Sequence, residues 1–108
     1  MKIQFERHPH TICAVLTEPG ECDRIINVAR ASDAIDALAL DIHTAALKPL
    51  DVLFALPRVV LVEIERREGG WCVEVAYWNK GLGTLAQYEA EAATLSEALA
   101  RCVWALAG

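Results

Sequence analysis

Three histidines and four cysteines are the side chains here best suited to metal binding or nucleophilic catalysis. His8-Pro9-His10 sets two imidazoles on a proline-containing turn, and His43 stands far away in the chain. A zinc centre needs three or four ligands and a supporting shell. No partner set accompanies these histidines, so the pair reads as a solvated turn and no metal is expected. Asp36 and His43 fall on one side of an expected helix, but two helical turns apart, about 10 Å. That is too far for a hydrogen-bonded dyad. Cys13, Cys22, Cys72 and Cys102 include no CxxC pair and lie in apolar or mixed segments. A catalytic thiol needs a neighbouring base and a lowered pKa; buried structural thiols without disulfides are the expectation instead. Gly81-x-Gly83 is too short for a phosphate loop. We therefore expect no catalytic residues, no cofactor and no enzyme activity.

Two surface features carry more information. A meander over residues 59–92 would direct Glu63, Glu65, Glu74, Glu89 and Glu91 to one face, with Arg66, Arg67 and Lys80 as the nearby cations. Such a face is either the solvated side of an antiparallel sheet or a docking surface for a basic partner. A carboxylate metal site is the weakest reading, because a flat sheet rarely wraps a hard cation. Trp104 projects about 180° from Leu95 on the last helix, and Trp78 falls on the acidic face beside Leu61. Exposed aromatics of this kind are enriched at interfaces. The bland alternative is that an N-terminal hairpin packs over both.

The elements that must position these residues follow from periodicity. Lys2–Arg7 and Thr11–Thr17 read as a β-hairpin about the His8-Pro9-His10 turn. Asp23–Arg30 is ambiguous between strand and helix, with strand favoured. Ser32-Asp33 can cap a helix over residues 33–47, ended by Lys48-Pro49. Its core stripe would be Ile35, Leu38, Ala39, Ile42 and Ala46. Leu40 and Leu47 would then face the other way and, with Trp104, offer an oligomer contact. Asp51–Leu56 reads as a short helical turn before Pro57. Val59–Arg67 and Trp71–Asn79 form the clearest hairpin, through Glu68-Gly69-Gly70. A two-residue loop keeps Val62 and Ile64 on the face of Val73, Val75 and Tyr77, whereas a three-residue loop would place Glu65 among the valines. Gln87–Ala92 supplies a third strand. Thr94-Leu95-Ser96-Glu97 is a capping box opening a helix over residues 95–107, with core stripe Leu95, Ala98, Leu99, Cys102 and Leu106. The expected fold is one α+β domain over residues 1–108: an antiparallel meander with two helices on one face, plus the N-terminal hairpin.

Composition agrees with that class and narrows the partners. The chain has 108 residues, 55% of them apolar, and a net charge of −5. Its pI is near 5.1 and its mean hydropathy is +0.28. Disorder is excluded, and an electrostatic grip on nucleic acid is disfavoured. Residues 1–7 carry no apolar stretch and no run reaches the roughly 18–20 residues of a membrane span. A cytoplasmic protein without membrane contact is expected. Apolar residues are abundant for so small a domain, which points to an interface.

From Val59 onward, Gly70-Trp71-Cys72-Val73-Glu74-Val75 forms a tryptophan-led strand. Glu89 to Arg101 is an alanine-rich strand running into a helix. In these two features about half the chain resembles the small α-β sandwich domains of phage and prophage proteins of unknown function. The resemblance implies a mobile-element origin and supplies no catalytic residues to carry over. The resulting expectation is a non-enzymatic, homodimeric interaction module that meets a basic protein through its acidic face and aromatics. The alternative is a small-molecule-binding domain with a pocket between sheet and first helix, lined by Tyr77, Tyr88, His43 and Trp71.

Overall fold

Period-two alternation over the N-terminal segments forms three strands, and the 59–92 meander forms three more. In a computed structural model describing residues 1–107, β1 (Lys2–Arg7), β2 (Ile12–Thr17) and β3 (Arg24–Val28) come first. Then follow α1 (Ala31–Ala37), a 3-10 turn (Thr44–Ala46) and α2 (Leu47–Ala55). The chain closes with β4 (Val59–Arg67), β5 (Gly70–Trp78), β6 (Leu85–Ala92) and α3 (Leu95–Ala107). The six strands make one antiparallel sheet in the order β3-β2-β1-β4-β5-β6. The ambiguous Asp23–Arg30 segment thus supplies an edge strand.

One core joins the sheet to the helices. Ile3, Phe5, Leu16, Val62, Ile64, Val73 and Val75 meet Ile35, Leu50, Leu53, Leu99 and Cys102 in a single cluster. The opposite sheet face has no helix over it. Register in the central hairpin follows the tight-turn reading: Arg67 pairs with Gly70, Val62 with Val75 and Ile64 with Val73. Gly69 sits at φ 82°, which L-residues rarely adopt. A Cβ on Gly70 would collide with the Ala92 carbonyl of β6, so both glycines are structurally required. At α3 the Glu97 amide donates to Thr94 Oγ1 at 3.3 Å, while the Glu97 carboxylate accepts from Arg101 at 2.8 Å instead of turning back to the cap.

The helix expected over residues 33–47 forms only as far as Ala37; an irregular stretch and the 3-10 turn fill the rest, and α2 starts at Leu47. α1 begins at Ala31, and Ser32 does not cap it. Ser32 donates its amide (3.0 Å) and its hydroxyl (2.5 Å) to the Asp51 carboxylate, so a residue of α2 satisfies the start of α1. α1 ends at Ala37 because Ala39 takes a left-handed conformation, φ 53°. The Ala39 amide donates to the Asp36 carbonyl and the Leu40 amide to the Ile35 carbonyl. These are the two bonds of a Schellman ending, with alanine where glycine is usual. Asp36 and His43 consequently share no helix. Pro49 lies in the first turn of α2, where its missing N–H removes no helical bond, so it begins a helix and does not end one. The broken path also carries Leu40 and Leu47 against the core, half-buried. They form no exposed oligomer surface, contrary to the continuous-helix expectation.

Candidate functional site

The uncovered sheet face collects the predicted carboxylates. Cross-strand pairing sets Glu63 opposite Glu74, and Glu74 opposite Glu89, a row of three on adjacent strands. Glu65 and Glu91 flank Cys72 one step along. Lys2 on β1 reaches Glu63 at 2.9 Å and Glu65 at 3.7 Å. Arg67 reaches Glu65 at 2.7 Å and Glu91 at 2.6 Å. Its hydrogen bond holds the Glu65 carboxyl below its ordinary value, and Glu63 raises the Lys2 ammonium in the same way. Glu74 and Glu89 have no ion pair among the described residues. Of the three expected counter-charges only Arg67 serves. Arg66 stacks on Trp71, its guanidinium 5.4 Å from the ring, and Lys80 lines a separate groove with Arg58. The sequence reading missed Lys2, because nothing local says that β1 lies beside β4.

Cys72 is buried among these groups, and its sulfur and the Glu89 and Glu91 carboxylates lie within 4.8 Å of one another. Burial, then the Glu89 carboxylate, pushes this thiol up to about 11. Cys102, in the core, is pushed up to about 12 by burial. Both stay protonated at neutral pH and neither is an activated nucleophile. The expectation of buried thiols fails elsewhere: Cys22 is exposed in the β2–β3 connection, and Cys13 is half-buried on the open face.

Trp78 lies on this same face, 49% exposed, paired across the strands with Leu85 at 55%. Leu61 and Ala76 continue the apolar strip, and Ile25 stands 64% exposed near the far edge. The N-terminal hairpin covers neither Trp78 nor Trp104, since it extends the sheet beside β4. Trp104 is 84% exposed on α3, on the helix side of the molecule. The structure therefore separates the predicted contacts into two surfaces: the five glutamates with Trp78, and Trp104 alone.

The residues expected to line a pocket do not converge. His43 and Trp71 share a groove of about 460 Å³ with Asp41 and Arg66. Tyr77 lies under the Arg58 guanidinium, 5.4 Å from its ring centre, and Tyr88 packs beside Val75. His43 Nδ1 accepts from the Ala45 amide and caps the 3-10 turn. His8 and His10 are exposed, at the rim of a 340 Å³ cavity with Arg7, Arg30 and Asp51. No family model, no curated protein and no solved structure matches this chain.

Proposed function

We propose that this chain is a non-enzymatic protein-interaction module whose open sheet face binds a basic partner. The row Glu63–Glu74–Glu89 carries the reading. Like charges directly opposed on neighbouring strands destabilise a sheet by about 0.2–1 kcal/mol per pair. Lys2 neutralises Glu63 at one end of the row and Arg67 pairs with Glu65 and Glu91 beside it, which leaves Glu74 opposed to Glu89 with no cation among the described residues. A cationic partner would remove that penalty on binding, and the charge would steer its approach. Trp78 and Leu85, on the same face beyond the Ala76–Gln87 pair, supply an apolar anchor. A mobile-element origin, implied by the resemblance of the C-terminal half, fits a small acidic protein that occupies a host or toxin surface.

Oligolysine titrated against tryptophan fluorescence tests this. The reading expects binding that weakens steeply with salt, and that Glu74→Gln with Glu89→Gln weakens several-fold. The same double variant should be more stable than wild type by about 0.5 kcal/mol or more. Glu21→Gln with Asp23→Asn, an equal charge change on a remote turn, is the control. Equal loss in both variants would reduce the effect to net charge and refute a dedicated face. The small-molecule alternative has less support, because only two of its four lining residues meet.

A further inference from the structure

Between α2 and α3 runs an apolar groove of about 440 Å³, lined by Lys48, Pro49, Val52, Ser96, Ala100 and Val103, with Trp104 of the same chain as part of its wall. We propose that the groove receives Trp104 of a second copy of this chain, each indole filling the other's groove about a two-fold axis near Ala100.

Three observations select that occupant. First, knob and groove are adjacent parts of one patch, which is what an isologous contact requires. Two antiparallel α3 helices crossing at Ala100 would set Trp104 of one copy, a turn beyond the axis, over Ser96 of the other, a turn before it. Ser96 is itself a wall of the groove, and with Ala100 it is small enough to let the helices approach. Second, the charges agree. Glu97 and Arg101 already pair along α3 at 2.8 Å within one copy, so neither brings an unpaired charge to the crossing. Lys48, which has no ion pair among the described residues, stands at the groove wall, where an incoming indole face would meet it. Third, the area fits a weak dimer. Two indoles bury roughly 150–250 Å² each, and with the groove walls they cover the total roughly doubles. That lies below the roughly 1,200–2,000 Å² of standard complexes, so a micromolar or weaker dissociation constant is expected. The site lies on the helix side and leaves the acidic sheet face free, so the two readings stand or fall separately.

Sedimentation from micromolar to millimolar concentration tests the proposal, with Trp104→Ala removing the knob and Ala100→Arg blocking the groove. Both positions are exposed, and circular dichroism melts confirm that the variants fold. Wild type should dimerise with concentration and both variants should lose the dimer. In a Cys22→Ser background, Ala100→Cys should cross-link to itself on mild oxidation, and adding Trp104→Ala should abolish the cross-link. A wild type monomeric at millimolar concentration would overturn the proposal, as would a Trp104→Ala variant that dimerises like wild type. So would an Ala100→Cys variant that forms no cross-link.

Discussion

Arg7 is a partly buried cation whose partners are all backbone. Its Nε donates to the Val59 carbonyl at 2.7 Å, and Nη2 donates to the carbonyls of Phe54 and of Leu56, the latter at 3.2 Å. The guanidinium lies 5.5 Å from the Phe54 ring centre, and Phe54 packs edge-on against Phe5. One side chain thus closes the end of α2 and joins it to β1. Arg7→Met would leave these carbonyls unpaired and should destabilise the protein by about 2 kcal/mol. Arg7→Lys should recover only part of that, lacking the fork. Urea unfolding checks both, and an Arg7→Met within 0.5 kcal/mol or so of wild type would show that water replaces the guanidinium. Nothing in the sequence marks Arg7, because its partners stand about fifty residues away and are carbonyls, which every residue has.

Between β3 and β4 the element boundaries depend on Ala39. An L-residue in the left-handed region costs roughly 1–2 kcal/mol, and this alanine bears that cost so that Leu38 and Leu40 can both reach the core. Ala39→Gly should therefore stabilise the protein by about 0.5–1 kcal/mol, the strain relief exceeding the added freedom of the unfolded chain. A rise of a few degrees in Tm is expected; no rise would mean that the turn relaxes in solution. The sequence reading carried the first helix on to residue 47 and ended it there, because alanine is the best helix former and Lys48-Pro49 resembles a stop signal. Pro49 is equally at home in a first turn, and only tertiary burial decides between the two roles.

For the whole molecule, stability should fall on the alkaline side. The folded protein holds the Cys72 and Cys102 thiols at about 11 and about 12, above their ordinary value of 9.0. With the folded value raised, the unfolded chain loses these protons first. The stabilisation is complete below about 9 and lost as pH rises toward about 12. Lys2, also raised in the folded state, adds to the loss above 10.5. Urea midpoints under reducing conditions should decline across that window, and less steeply for Cys102→Ala, whose lower starting stability is a separate packing effect. An equal slope in the variant would remove Cys102 from the explanation. At the acid end the sign reverses for Glu65, whose lowered carboxyl favours the fold above its ordinary range and loses that contribution as pH falls through its folded value.

Local periodicity in the sequence determined the α+β class, the register of the β4–β5 hairpin, the core stripe of α3 and the outward direction of the five glutamates. These follow from backbone geometry, which repeats every two residues in a strand and every 3.6 in a helix. Tertiary structure alone placed β1 between β2 and β4, and so brought Lys2 to Glu63 and Glu65. It also broke the first helix, turned Leu40 and Leu47 inward, and set the wall of α2 beside Trp104. Each of those outcomes compares burial at distant points of the chain, and burial leaves no mark in a local pattern when a helix-favouring alanine has to adopt the turn.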